Sequence, residues 1–142
     1  MSLTLNLRAR ATADVMARFD KPFSWQGANC IRLAREQGVA LGHKLPPVPV
    51  FRTATGAKRA LQKRGAETVA ELLDQFFPRW EAPAFALVGD LCMLPPEPDG
   101  DGLDAVCVAD GLGNLFGWHG SDPTRLSAIK FAQGHVLVAW RL

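Results

Sequence analysis

The sequence has neither a long apolar run nor the features of a secretion signal. A membrane-spanning helix needs a run of about 18 or more apolar residues, and no stretch of this chain of 142 residues approaches that length. From Met1 to Arg10 apolar and polar residues alternate, and the apolar core and small-residue cleavage site of a signal peptide are both missing. We therefore expect no membrane span, and we expect synthesis and folding in a cytoplasm.

The sequence also has few cysteines and little net charge. Cys30, Cys92 and Cys107 are an odd number of cysteines without a C-x-x-C spacing, so neither a disulfide framework nor a zinc ribbon is expected. We expect reduced thiols, no metal and no cofactor. The formal charge of +2, from 16 basic and 14 acidic residues, argues against nucleic acid or a membrane surface as partner.

The composition that remains is ordinary for a globular protein. Hydrophobic residues make up 48% of the chain and charged residues 21%, which is enough apolar material for a real core. The length fits one domain. We predict a single domain over residues 1–142, with residues 1–10 as a candidate for a short extended arm.

Apolar spacing and capping signals predict four helices in the first half of the chain. They cover Ala11–Phe19, a segment from around Ala28 or Asn29 to Gln37 that stops at Gly38, a segment that begins after Thr53 or Thr55 as N-cap and runs to Lys63, and Glu67–Phe77.

Strand patterns begin after Pro83. Predicted strands run over Phe85–Leu94, Leu103–Ala109 and Asn114–Trp118, with a hairpin turn at Asp110–Gly113. The end of the chain is ambiguous, because a last strand over His135–Trp140 and a terminal helix from Ala132 both fit. Helices followed by antiparallel strands indicate an α+β fold.

Two charged segments are interpreted as solvent-exposed. The acidic loop from Pro95 to Asp104 lacks the ligand order of an EF-hand and is typical of a hairpin loop. A basic side of the third helix is a solvated face unless an acidic neighbour meets it in an assembly. Its cations are Arg52, Lys58, Arg59, Lys63 and Arg64.

Cys30 is the main candidate for chemistry. It stands at the predicted start of a helix, where unpaired N–H groups and the positive end of the helix dipole stabilise a thiolate. A nucleophilic cysteine also needs a base, normally a histidine. The alternative is a small, inert residue that packs the helix start.

Four segments carry a resemblance to a known family. The run Pro22–Cys30 (PFSWQGANC) resembles the pattern Pro-Phe-x-Trp-Gly-x-x-Asp-Cys, and Phe51–Ala57 resembles aromatic-Arg-Thr-x-x-Gly-Ala. Gly89–Leu91 matches a Gly-Asp step that opens the sheet, and Ala139–Leu142 resembles the family's ending. These patterns, in this order, resemble the NlpC-type papain-like cysteine peptidases, in their small phage tail-assembly branch.

The resemblance implies a papain-like domain with N-terminal helices packed on a C-terminal antiparallel sheet. In active members a cysteine attacks peptide bonds of peptidoglycan stems and a histidine on a strand acts as base. The phage branch is associated with the tail tip. By resemblance, the expected partners are other phage tail proteins (hub and tape measure) and peptidoglycan, and the expected location is the virion after synthesis in the bacterial host.

The sequence departs from the family pattern at the residues that matter for catalysis. Asn29 stands where an aspartate is usual, and Gln26 where a glycine is usual. The segment Ala105–Val108 corresponds to His-Val-Gly-Ile in active relatives, so Ala105 occupies the expected base position and cannot accept a proton. Ala105 and Cys107 share one face of this strand, where two small core residues are expected rather than a redox pair.

Other histidines are candidates for the missing base. His119 follows the strand Asn114–Trp118 and is the best of them, although an exposed turn residue is the competing interpretation. His135 is a weaker candidate, and His43 is interpreted as a surface residue. The sequence therefore predicts a phage tail-tip structural or assembly protein on a degenerate, inactive peptidase fold. The alternative is an active peptidoglycan endopeptidase with Cys30 as nucleophile and His119 or His135 as base.

Overall fold

Helices precede strands throughout the part of the chain that the computed structural model describes, residues 4–96, 103, 105–119, 122–131 and 135–142. In chain order the elements are α1 (Leu5–Phe19), α2 (Cys30–Ala40), α3 (Ala54–Lys63), α4 (Val69–Asp74), a 3₁₀ turn (Pro83–Phe85), β1 (Leu91–Leu94), β2 (Ala105–Ala109), β3 (Asn114–His119), β4 (Asp122–Lys130) and β5 (Val138–Trp140). The predicted α+β class, with helices first and an antiparallel sheet after them, is confirmed.

Side-chain caps fix where the helices begin. In each case a Thr or Asn oxygen accepts a hydrogen bond from the amide three residues later, which satisfies one of the unpaired first-turn N–H groups. The pairs are Thr4 with Leu7 (3.3 Å), Asn29 with Arg32 (3.0 Å), Thr53 with Gly56 (3.0 Å) and Thr68 with Glu71 (3.1 Å). Helix α2 begins at Cys30, one residue after the later of its two predicted starts, and of the two predicted caps of α3 the structure has Thr53.

The N-terminal segment is helical rather than extended. The predicted arm over residues 1–10 is wrong for its described part, because α1 already begins at Leu5 and not at Ala11. Its buried side chains Arg8, Thr12, Val15 and Phe19 recur at helical spacing. Residues 1–3 lie outside the described part of the chain.

Two helix ends also differ from prediction. Helix α2 continues through Gly38 to Ala40. Gly38 is a packing residue, since a Cβ there would lie 2.6 Å from Leu45 Cδ1 and 3.0 Å from Phe77 Cζ. Helix α4 is shorter than predicted and ends at Asp74, whose carboxylate binds Arg79 at 2.7 Å and 2.8 Å.

The five strands form one antiparallel sheet in the order β4-β3-β2-β1-β5. The predicted hairpin at Asp110 is confirmed, with Asp110 Oδ1 accepting from the amides of Leu112 (2.7 Å) and Asn114 (3.0 Å). The last described element is a strand, β5, which pairs with β1, as one of the two predictions had it. The start of the alternative helix, at Ala132, lies outside the described residues. Strand β1 is shorter than predicted because the 3₁₀ turn and Gly89, at φ +89°, precede it. Strand β4 was not predicted.

The two faces of the sheet carry separate apolar clusters. The front cluster, between sheet and helices, includes Val15, Phe19, Leu33, Leu61, Leu73, Leu91, Met93, Val106, Val108 and Trp140. The back cluster includes Cys92, Leu94, Cys107, Ala109, Leu115 and Ala139. Alternation along β1 and β2 explains this division, since neighbouring residues point to opposite faces.

Among the residues described, no helix combines the length and the apolar character needed to cross a membrane.

Candidate functional site

Cys30 is the first residue of α2 and lies at the front face of the sheet. The residue is partly exposed, between the buried Asn29 and the buried Ile31. Cys30 packs against the front cluster, and α2 lies on β2. The predicted position of the thiol, at a helix start beside the strand that includes Ala105, is what the structure has.

Asn29 holds the loop in front of Cys30. Its Nδ2 donates to the carbonyls of Ser24 (3.2 Å), Trp25 (3.2 Å) and Gly27 (3.4 Å), while its Oδ1 accepts from the Arg32 amide at 3.0 Å. The side chain is almost completely buried, at 1% exposure. An aspartate cannot donate to carbonyl oxygens, so the departure from the family's aspartate suits this loop structurally.

A row of aromatic rings links the two sequence motifs around the thiol. Phe23 lies edge-on to Trp25 (4.9 Å between ring centroids) and to Trp118 of β3 (6.0 Å). Trp25 in turn contacts Phe51 at 6.3 Å, and Trp118 Nε1 donates to the carbonyl of Lys21 at 2.8 Å. Edge-to-face pairs of this kind stabilise packing, so these motif residues are accounted for by the fold.

Strand β2 presents aliphatic side chains to the Cys30 side of the sheet. Val106 belongs to the front cluster, and Leu103, just before the strand, packs against it. Ala105 packs in the back cluster with Cys107, so the expected sharing of a face by Ala105 and Cys107 is confirmed. Ala105 thus packs against a different cluster from the one that Cys30 contacts, although the Cys107 thiol on its face is close enough to be affected by Cys30. Its equivalence to the base position stays a prediction from the resemblance.

The histidines are distributed over three places. His119 is the last residue of β3, with its backbone opposite Asp122 of β4, and its role as base stays a prediction. His135 is exposed in the turn before β5, at φ 52°.

His43 follows the other end of α2. Since a helix rises about 1.5 Å per residue, an 11-residue helix separates His43 from Cys30 by roughly 15 Å. Its ring lies edge-on to Phe77 at 5.0 Å. Burial, and then the positive charge of Arg8, lower the pKa of His43 below its ordinary value.

The other two cysteines are packing residues. Cys92 and Cys107 are directly opposite each other on β1 and β2 and are buried, at 0% and 1% exposure. Burial, with a smaller effect of Asp90, raises the pKa of Cys92 to about 12. Burial, then the nearby thiols of Cys30 and Cys92, raise the pKa of Cys107 even further. These two thiols stay protonated and unreactive at neutral pH.

The Gly-Asp step is the centre of a buried polar network. Asp90 is 0% exposed, and its Oδ1 accepts from Arg8 Nη2 (2.8 Å) and the Leu142 amide (3.0 Å). Its Oδ2 accepts from Trp80 Nε1 and the Leu87 amide, both at 2.8 Å. The carboxylate therefore joins α1, the segment before β1 and the chain end.

Arg8 was not found by sequence reasoning, because nothing local marks its partner 82 residues away. Its Nη1 also donates to the Leu142 carbonyl and its Nε to the Val88 carbonyl, both at 3.0 Å. A buried arginine is expected only with such partners. The signal that was available is an arginine on the apolar stripe of a helical pattern.

The structure shows no metal centre in its described residues, where no three His, Cys, Asp or Glu side chains group closely enough to hold an ion. Most of the acidic loop between β1 and β2 falls outside the described residues, at 97–102 and 104, so its interpretation as a hairpin loop stays a prediction.

Comparison with known proteins gives one matching family model and two similar solved structures. A family model described as "Domain of unknown function (DUF6950)" matches residues 5–142. Two solved structures are similar, those of NlpC2 and NlpC1 from Trichomonas vaginalis. The NlpC2 match has a TM-score of 0.56 at 15% identity and covers 94% of this chain and 45% of that one. The NlpC1 match has a TM-score of 0.52 at 14% identity and covers 94% and 43%.

These matches establish an NlpC-like fold and nothing about activity, since sequence identity is low. The chain spans less than half the length of either NlpC protein. The search of curated proteins gave no match.

Proposed function

This chain belongs to the DUF6950 family, and we propose that it is a structural or assembly protein of a phage tail tip, built on an NlpC-like fold without peptidase activity. The fold itself is the coarse part of this statement and rests on the two NlpC structures. The tail-tip role rests on the four sequence motifs that resemble the phage branch. Their order along the chain, from Pro22 to Leu142, supports it.

The single observation that carries the loss of activity is the chemistry of β2. Its five residues are Ala, Val, Cys, Val and Ala, and the one titratable side chain among them, Cys107, has a raised pKa because it is buried. Active relatives are expected to have a histidine base on this strand. General-base assistance typically contributes about 10²–10⁴-fold in rate, so a cysteine without it is a poor nucleophile for peptide bonds.

The motif residues have structural roles that do not need catalysis. Asn29 holds the loop before α2 because its Nδ2 donates to the carbonyls of that loop, three of which lie within 3.4 Å. Asp90 joins the chain end to α1. A docking module needs such a rigid scaffold and no base. These contacts support the proposal because they give the motif residues a structural role that does not require catalysis.

The test is the Cys30→Ala variant in the phage that encodes the chain. We expect normal particles and unchanged infectivity, and we expect the purified wild-type chain to bind tail hub or tape-measure proteins. Asp90→Asn serves as the matched control, since it disturbs the scaffold and should reduce assembly. Normal particles of the Cys30→Ala phage with lost infectivity would overturn the proposal.

A second candidate is an active peptidoglycan endopeptidase, and the placement of β3 favours it. This strand neighbours β2 and ends at His119, so its backbone brings one histidine to the sheet beside α2. In this case purified protein should cleave muropeptides, and both Cys30→Ala and His119→Ala should abolish cleavage. His135→Ala, at an exposed turn, is the control. If the wild-type chain does not cleave muropeptides, this candidate function is excluded.

A further inference from the structure

An open concavity lies between the end of α1 and the first turns of α2. Its volume is about 380 Å³ and it is lined by Arg18, Phe19, Lys21, Arg32 and Glu36. Three of these five side chains are cations, one is a carboxylate, and Phe19 provides an apolar wall. A lining with three cations and one carboxylate attracts a small anion, because guanidinium and ammonium groups form charge-assisted hydrogen bonds with oxyanions.

The carboxylate in this concavity is already engaged. Glu36 Oε1 accepts from Arg35 Nη1 at 2.9 Å, and Glu36 Oε2 lies 3.8 Å from Arg18 Nη1. The nearby Asp20 is paired with Arg125 at 3.3 Å. Glu36 is therefore shared between Arg18 of the lining and Arg35 outside it, and Asp20 is paired with Arg125 outside it. With three cations and one carboxylate, the lining remains positive.

Arg32 is the most telling residue of the lining. Its Nε is buried and has no hydrogen-bond partner among the described residues, although the side chain as a whole is partly exposed. An unpaired buried donor destabilises the fold unless a ligand supplies the acceptor. Arg32 is also in the first turn of α2, which contains no acidic residue. A cation there is repelled by the positive end of the helix dipole. Arg32 thus departs both from the pairing of buried polar atoms and from the charge preference of a helix start. Such departures are expected at functional positions.

We propose that this concavity is an oxyanion site, which binds a carboxylate or a phosphate group through Arg32 and Lys21 with support from Arg18. An oxyanion neutralises the cluster, and the partly exposed Arg32 side chain can turn its buried, unpaired Nε towards it. A guanidinium binds such a group with two parallel hydrogen bonds. The site is independent of the peptidase question, because no step at Cys30 is needed for binding.

The test is a titration of the full chain followed by two-dimensional amide NMR. Three probes separate the sources of the oxyanion: inorganic phosphate, an N-acetyl dipeptide with a free carboxylate, and the same dipeptide as its amide. We expect saturable shifts confined to residues 18–21 and 30–36 with phosphate or with the free carboxylate, and none with the amide. The stronger of the two binding probes identifies the source.

Variants decide whether the cluster binds. Arg32→Gln and Lys21→Gln should each weaken binding by about 10-fold or more, as loss of a charge-assisted hydrogen bond does. Arg59→Gln, an exposed cation on α3, is the control and should leave the affinity unchanged. If Arg32→Gln does not fold, Lys21→Gln decides alone. Shifts that do not saturate, or equal weakening by the control, overturn the proposal.

Discussion

Replacement of Asp90 by asparagine tests the scaffold that the whole site depends on. The Asp90 carboxylate is completely buried and accepts four hydrogen bonds, two on each oxygen. In Asp90→Asn an NH₂ group replaces one of the two oxygens. Whichever oxygen is replaced, the two N–H groups that it accepted from then face a donor and lose their acceptor. The variant also leaves Arg8 buried without its counter-charge. Breaking a buried ion pair from one side costs about 3–5 kcal/mol, and we expect a loss of that size.

The measurement is the free energy of unfolding from denaturant titration, with the thermal midpoint alongside. For a chain of this size a loss of 1 kcal/mol lowers the midpoint by about 2–4 °C, so the variant should melt roughly 6–20 °C lower. Asp20→Asn is the matched control. Its partner Arg125 is 63% exposed, and an exposed pair contributes less than about 1 kcal/mol.

A double-mutant cycle then separates the ion pair from the other contacts of Asp90. Arg8→Met removes the charge that Asp90 neutralises, and we expect the two substitutions together to cost less than the sum of the single costs. A loss from Asp90→Asn as small as that of the Asp20→Asn control would refute the reasoning. So would strict additivity of the Arg8→Met and Asp90→Asn costs.

Three further predictions concern Asn29, the three cysteines and His43. Asn29→Asp places a carboxylate oxygen against three carbonyls and should lower the free energy of unfolding by about 2–4 kcal/mol; unchanged stability in denaturant titration would contradict the role of the amide. A thiol reagent should label only Cys30 in the native protein and all three cysteines after unfolding, and it should label no cysteine in native Cys30→Ala. Rapid labelling of Cys92 or Cys107 in the native protein would contradict their burial. The lowered pKa of His43 means that the unfolded chain binds the proton more readily. Stability should therefore be complete above the ordinary value of 6.5, fall as the pH drops below it, and fall less in His43→Gln, as urea titrations from pH 7.5 to 5 would show.

Local chemistry made part of this fold predictable. The cap Thr53 was among the predicted alternatives because a cap acts within three residues of sequence, and the start of α2 was predicted to within one or two residues for the same reason. The hairpin at Asp110 follows from its turn residues in the same way. Each of these features depends on neighbours along the chain, which a single sequence displays directly.

Features set by distant contacts were mispredicted or missed. The start of α1 was placed too late, since the first turns of this helix are held by Arg8 and Asp90, 82 residues apart. The end of α2 was placed at Gly38 because glycine is typical of helix ends, whereas here it makes room for Leu45 and Phe77. Both errors come from contacts that no local pattern announces.

Strand β4 was missed for a different reason. It lies at the edge of the sheet, and its sequence DPTRLSAIK combines a proline with charged residues. Edge strands often include such residues because they prevent pairing with other chains. The same features hide the strand from an alternation pattern, since an edge strand buries less than a central one.

The residues that carry the family resemblance are mostly those with a structural explanation. Asp90 joins distant segments, Asn29 fixes the loop before Cys30, and Phe51 packs against Trp25. A resemblance carried by such residues predicts the fold, which the solved NlpC structures bear out, and it is silent on activity. Activity requires a proton acceptor beside the thiol, and β2 offers none. The peptidase hypothesis therefore depends on a histidine outside β2, His119 or His135, and a chain whose Cys30 labels equally fast in wild type and His119→Ala has no catalytic pair between Cys30 and His119.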